Sequence, residues 1–237
     1  YYGQLSFNEI NYGGEFVLED QSQYSKEYEK EFNNNNYKFI KCDINNGPKI
    51  RKILKKYHPS GIFNLAAETH VDRSIDNPKD FIKSNILGVY NLLEEFKIFS
   101  KKNKKTKLIH ISTDEVYGSL SLGERSFTEK NRYKPNSPYS ASKASGDHIA
   151  RSYSVTFSLP VLISNCSNNY GPFQHPEKLI PLAILNLLSE RKVPVYGDGR
   201  QIRDWIFVKD NCEALLKIFL RGKIGRNYNI GSGIKLR

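Results

Sequence analysis

Apolar and polar positions fall into two alternating periods along this chain. Ile50, Ile53, Leu54 and Tyr57 recur at helical spacing with lysines between them, and Pro48 suits a first helical position. His58-Pro59 stops that helix. Gly61-Ile62-Phe63-Asn64-Leu65 is a short apolar run of the kind buried on both faces of a parallel sheet. The pattern next predicts a long helix over about 78–100, with Phe81, Ile82, Ile86, Val89, Leu92, Leu93 and Phe96 on its apolar stripe. It continues with a strand over 107–112, a loop over 119–137, a helix over about 139–157 and a strand over 160–165. A further helix starts near Pro176, short strands are expected at 193–196 and 205–208, a helix at 211–221 and a last strand at 226–230. Toward the N-terminus, residues 37–41 alternate as a strand ending at Cys42-Asp43-Ile44, and the asparagines 33–36 read as a loop.

Strand and helix thus alternate through nearly the whole chain, which implies parallel βαβ units in a doubly wound, Rossmann-like α/β sheet. In such sheets ligands sit beyond the carboxyl ends of the strands. Polar clusters at Asp43, 66–70, 112–115 and 165–169 each follow a predicted strand, so four strand ends are expected to line one crevice.

Composition changes this picture little. Hydrophobic residues make up 38% of 237, enough for a folded core, and no apolar run approaches the ~20 residues of a membrane span. The net charge of +11 raises the question of nucleic acid. The densest runs, 49–56 and 101–107, read as solvated helix faces and ends rich in Lys rather than Arg. Attraction of an anionic small molecule is the better expectation. Cys42, Cys166 and Cys212 fit neither a zinc spacing nor a disulfide framework, so a reduced, cytoplasmic protein without a structural metal is expected. Tyr1-Tyr2-Gly3-Gln4 shows no signal-peptide pattern, and with no Met in the chain an excerpt of a longer protein is expected.

The candidate chemistry lies in Ser112-Thr113-Asp114-Glu115-Val116-Tyr117-Gly118 and in Pro138-Tyr139-Ser140-Ala141-Ser142-Lys143. Tyr139 and Lys143 are spaced i, i+4 and share a helix face, where an ammonium lowers a phenol toward a usable base. Alone, that spacing describes many surface helices. The upstream Ser112-Thr113 at a strand end gives it meaning, because a Thr hydroxyl can share a substrate oxygen with the tyrosine. Asp114 and Glu115 can face one ligand only where the strand has ended, since strand neighbours point to opposite faces. Crowded carboxylates hinder each other's ionisation, so one can serve as acid and the other as base. The plainer reading is two solvated acids capping the next segment.

Those motifs resemble the nucleotide-sugar 4,6-dehydratases of the extended short-chain dehydrogenase/reductase superfamily, the dTDP-glucose branch above all. The resemblance covers about residues 37–233. It also rests on Asn64-Leu65-Ala66-Ala67-Glu68-Thr69-His70-Val71-Asp72-Arg73-Ser74-Ile75, Asn165-Cys166-Ser167-Asn168-Asn169-Tyr170-Gly171-Pro172, Pro176-Glu177-Lys178-Leu179-Ile180-Pro181 and Arg203-Asp204-Trp205. It implies NAD-dependent dehydration of a nucleoside-diphosphate glucose to the 4-keto-6-deoxy sugar, by oxidation at C4, elimination across C5 and C6, and reduction at C6. Tyr139 would take the 4-OH proton, Thr113 bond the 4-oxygen, and Lys143 tune Tyr139 and hold the nicotinamide ribose. Glu115 would take the C5 proton and Asp114 protonate the departing 6-OH. Asp43 and Ile44 would contact adenine, Leu65, Ala66, Ala67, Glu68 and Ser84 would line the cofactor, and Asn169 would sit near the nicotinamide. Thr69, Asn168, Lys178, Leu179, Tyr196 and Arg203 would face the sugar nucleotide, Arg203 suiting its diphosphate. His70 and His110 take no catalytic role.

By the same resemblance, residues 1–172 form the cofactor domain and 173–237 begin a smaller substrate-binding portion, from which 208–221 and 226–230 return to the main domain. A homodimer through the helices at about 78–100 and 139–157 is implied; nucleic acid and membrane are not. The family's Gly-x-x-Gly-x-x-Gly turn is missing, and Gly13-Gly14 does not supply it. The stretch 7–14 resembles the end of the family's second strand, with Asn8 where a ribose-binding Asp is usual. Gly231-Ser232-Gly233 mimics a dinucleotide loop but has no helix after it. Truncation at both ends is therefore expected. A 4-epimerase or decarboxylase of the same superfamily would need Thr113, Tyr139 and Lys143 but not the carboxylate pair. A shortened homologue acting as a binding module is a further alternative.

Overall fold

The computed structural model describes residues 38–121, 123–195, 199, 201–233 and the backbone of 235–236, with the backbone of two short N-terminal strands, β1 (Leu5–Phe7) and β2 (Phe16–Val17). The chain continues through α1 (Gly47–Tyr57), β3 (Gly61–Asn64), α2 (Val71–Asp76) and α3 (Pro78–Ile82). A wide π turn (Lys83–Gly88) leads from α3 into α4 (Val89–Ser100). Then come β4 (Lys107–Thr113), α5 (Pro138–Phe157), β5 (Val161–Cys166), β6 (Asn168–Tyr170), α6 (Leu179–Leu188), β7 (Arg203–Phe207), α7 (Val208–Arg221), β8 (Asn227–Ile230) and β9 (Lys235–Leu236).

Six strands form the main sheet in the order β2-β1-β3-β4-β5-β8. From β3 to β8 it is parallel, in a register that sets Phe63 beside Ile109 and Ile109 beside Leu162. The period of two then divides the core. Ile62, Leu108 and Val161 join α1, α4 and α5 through Ile50, Leu54, Leu92, Phe96 and Ala150. Phe63, Ile109, Leu162 and Ile230 join α7 through Leu215, Ile218 and Phe219. Burying each of these large side chains stabilises the fold by roughly 1.5–3 kcal/mol before chain entropy is set against it. Helix ends follow local chemistry. The Asn46 side chain caps α1 by accepting from Lys49 N, and Ser137 and Ser140 form a reciprocal capping box on α5.

Several expectations are corrected. The sheet is mixed, because β1 runs antiparallel to both β2 and β3. The strand expected at 37–41 is not formed over its described residues: 38–43 are irregular, and the β3 edge is taken by β1. Residues 193–195 are likewise irregular. The stripe of the long helix is displaced at the π turn, so Ile82 is exposed and Asn85 is buried instead. The helix expected near Pro176 starts at Leu179 and buries none of its residues. Neither α2 nor β6 was foreseen; β6, β7 and β9 make a second, three-stranded sheet. No described helix is long and apolar enough to cross a membrane.

Candidate active site

The site grows from the point where β4 stops. Thr113 is the last strand residue, and its hydroxyl accepts from Glu115 N at 3.3 Å, capping a single 3-10 turn over Asp114–Tyr117. The turn closes on Gly118 at φ 97°, where a Cβ would also stand 2.5 Å from the Lys134 carbonyl. With the pleat ended, Asp114 and Glu115 no longer alternate between faces. Across from them, the first turn of α5 is held down by Tyr139 N–H donating to Ser74 Oγ on α2 at 3.1 Å, with Phe81 edge-on to the Tyr139 ring.

Electrostatics differentiate the pair. Burial, then Glu115 and Asp204, push Asp114 up to about 6, against the pull of Thr113 and Arg203. Burial also raises Glu115, opposed by Arg203 and Lys178. Tyr139 lies well above the usual phenol, from burial first and the Glu115 and Cys166 charges next. Lys143 Nζ donates to the Ile111 carbonyl at 2.7 Å, and burial pulls its pKa down.

The other candidates are distributed as follows. Leu65–Glu68 follow β3 at the same sheet edge, with Ala66 and Ala67 buried. Ser84 is half-buried in the π turn. Lys178 Nζ donates to the Thr69 carbonyl at 3.1 Å and to its hydroxyl at 3.2 Å, uniting two expected substrate residues within electrostatic reach of Glu115. Arg203 is exposed at the head of β7 and acts on both carboxylates. Asn168 opens β6, Leu179 opens α6, and Asn169 Oδ1 is buried without a hydrogen-bond partner. Asp43 Oδ1 accepts from Asn45 N and Nδ2. The Ile44 side chain packs into the core against Gly88 rather than outward. Tyr196, Asn8, Gly13 and Gly14 lie outside the described residues. Among the described residues no cluster of His, Cys, Asp and Glu could hold a metal.

Three residues at the site were given no part by sequence reasoning. Asn85 Oδ1 accepts from Glu68 N at 2.8 Å while its Nδ2 donates to the Glu68 carbonyl and to Ser142 Oγ, which clamps the β3 edge to α5. The signal was there: Asn85 is the polar residue inside the apolar stripe, four from Phe81 and four from Val89. Asp204 gathers Ser232 N, Ser232 Oγ and Gly233 N, so the Gly231-Ser232-Gly233 loop wraps a carboxylate of its own chain. Asp147 is buried between α5 and the sheet. A cavity of about 350 Å³ opens not at the strand ends but around Glu129, Arg132, Tyr133, Asp147, His148 and Arg151.

Comparison with known proteins agrees with this geometry. The model of the GDP-mannose 4,6 dehydratase family matches residues 13–236. The dTDP-glucose 4,6-dehydratase of Haemophilus influenzae is 48% identical over 231 residues, covering 94% of this chain and 68% of that protein. The chain belongs to the sugar-nucleotide 4,6-dehydratase family. A second such dehydratase, from Xanthomonas campestris pv. campestris, is 48% identical over 81% of this chain, which spans only 56% of it. Among solved structures, the Bacillus anthracis dTDP-glucose 4,6-dehydratase in complex with NAD superposes with a TM-score of 0.80 at 43% identity, over 93% of this chain and 67% of that one. The Streptomyces venezuelae dTDP-glucose 4,6-dehydratase, also with NAD bound, gives 0.85 at 38% identity, over 94% and 68%.

Proposed function

We propose that the chain carries the chemistry of an NAD-dependent lyase that dehydrates a nucleoside-diphosphate glucose, dTDP-glucose foremost, to the 4-keto-6-deoxy sugar. The observation that carries this reading is the Asp114–Glu115 pair, both raised, on the one turn that Thr113 caps at the end of β4, with Tyr139 in the first turn of α5. Its residues fit the nicotinamide half of NAD. Ala66 and Ala67 leave a smooth wall, and the orphaned Asn169 Oδ1 is an acceptor that a carboxamide N–H would satisfy. A glycine turn for the pyrophosphate has no counterpart among the described residues. NAD, when bound, supplies the acceptor for two electrons from C4 and returns them to C6.

The chain's own groups move the protons. Tyr139 takes the 4-OH proton and Thr113 holds the 4-oxygen. The ketone so formed acidifies C5–H, and Glu115, kept from rising further by Arg203 and Lys178, removes that proton. Asp114, pushed up to about 6, is the acid for the departing 6-oxygen. Arg203 and the Lys178–Thr69 pair hold the diphosphate side. Incubating the full-length protein with dTDP-glucose is expected to give the 4-keto-6-deoxy sugar; a galactose epimer as the sole product would overturn the reading. A parallel run on UDP-glucose reads the nucleotide. The two differ by the base methyl and the ribose 2′-hydroxyl, and the methyl alone accounts for about 10–200-fold discrimination.

The same reading includes a cytoplasmic homodimer. Its support is that Cys166 and Cys212 stand outside any disulfide, and that Ile82, Leu87, Tyr90, Val155 and Phe157 are exposed on the helical layer. Light scattering of the full-length protein is expected to give twice the chain mass, and a monomer at all concentrations would count against it. Recovery in the membrane or exported fraction of cells would refute the location.

A further inference from the structure

Lys143 is 4% exposed, and its one hydrogen bond is to the uncharged Ile111 carbonyl. Burial without an opposite charge disfavours an ammonium. One helical turn farther along α5 lies Asp147, 2% exposed and unused by any step of the proposed reaction. Its Oδ2 accepts two hydrogen bonds, and its Oδ1 has none. Oδ2 takes the Tyr133 hydroxyl at 2.9 Å and Asn165 Nδ2 at 3.1 Å, and Oδ1 faces His110 Nε2 at 3.4 Å.

The neighbours assign the histidine proton. Ala66 N–H donates to Asn64 Oδ1 at 3.2 Å, which turns Asn64 Nδ2 toward His110 Nδ1 at 3.1 Å. Nδ1 must then accept, and the ring proton sits on Nε2, toward Asp147. Burial keeps His110 below its ordinary pKa and hence neutral. Asn165 Nδ2 also reaches the Thr113 carbonyl and the Tyr133 hydroxyl, and Asn227 Nδ2 donates to that hydroxyl at 3.0 Å. Strands β4, β5 and β8 and the loop before α5 thus converge on one carboxylate.

We propose that Asp147 is a positioning residue for the reaction: the buried counter-charge, one helical turn from Lys143, that keeps Lys143 an ammonium, held in place by Tyr133 and Asn165. The other groups around the pair do not supply that charge. Cys166 on β5 is pushed up to about 11 and Tyr117 on the 3-10 turn to about 12, both by burial first, and Tyr133 is raised further still. All three are neutral near pH 7. Asp114, Glu115 and Glu129 act on the neighbouring tyrosines but are not among the charges that bear on Lys143.

The proposal rests on the dehydratase reading only for its activity readout. In the full-length protein with lysines carbon-labelled at Cε, the Lys143 resonance is assigned by its loss in Lys143→Met. It is expected to titrate at lower pH in Asp147→Asn than in the parent, and Asp147→Glu is expected to restore it. On the alkaline side of neutrality kcat of Asp147→Asn falls about tenfold, its alkaline limb moves to lower pH, and KM for the nucleotide sugar is unchanged. An unshifted Lys143 titration in folded Asp147→Asn overturns the proposal whatever the activity does. So does a parent Lys143 already neutral at pH 7, a measurement that needs no variant. A shifted titration in a protein that dehydrates no nucleotide sugar supports the charge pairing and removes the dehydratase reading alone.

Discussion

Replacing Glu115 by Gln is expected to stop elimination while leaving oxidation at C4 intact. The amide keeps the shape of the side chain, and the Glu115 N–H that caps against Thr113 is untouched, so the turn stays formed. What disappears is the group that can take the C5 proton. A positioned base of this kind contributes about 10²–10⁴-fold, and dehydration should fall by that much. In a single turnover, bound nicotinamide should still become reduced when dTDP-glucose is added, and should stay reduced. Dehydration at the parent rate would remove Glu115 from the mechanism. Loss of nicotinamide reduction as well would mean that the carboxylate serves the first step.

Asp114 gives the second large effect, and its sign can be worked out. Folding raises its carboxyl from 3.8 to about 6, so between those values the folded protein holds a proton that the unfolded chain has released. Stability therefore falls as pH rises through that window, and above it the ionised group costs about 3 kcal/mol. The acid form needed at the 6-oxygen is lost over the next stretch, about tenfold per pH unit above 6. Asp114→Asn is expected to remove that decline and to be about 10²-fold slower at neutral pH. It is also expected to unfold at higher denaturant concentration than the parent near pH 7, and no more readily near pH 4. A parent whose elimination rate is flat from about pH 6 to about pH 8 would contradict Asp114 as the acid. The cost and the use are the same fact: a carboxylate placed where it is hard to ionise.

Both effects come from residues that were readable along the chain because their partners are near in sequence. Thr113, Asp114 and Glu115 are consecutive, and Tyr139 and Lys143 are one helical turn apart. The strands β3, β4 and β5 were readable for a similar reason, since two-sided burial writes a continuous apolar run. What escaped depends on distant partners. Asn85 meets Glu68 and Ser142, which are 17 and 57 residues away, and Asp147 meets Asn165, which is 18 away. The strand expected at 37–41 has the right alternation, but alternation says nothing about which segment takes a sheet edge, and β1 has it. The i, i+4 spacing placed Lys143 on the face of Tyr139. It could not show that a carbonyl of β4 would hold the ammonium.

The wide turn at Lys83–Gly88 is what a single extra residue leaves in an α-helix. Passed along the rod, such an insertion would rotate one half against the other by roughly 100°. That would swing Phe81 away from Tyr139, or the Val89–Phe99 stripe away from the sheet. Absorbed locally, it leaves both halves facing as they must, and the slack turns Asn85 inward to reach two other segments. Deleting one residue here would repair the helix and undo the clamp. The irregular turn thus sets the phase between the two halves of the helix and the reach of Asn85 at once.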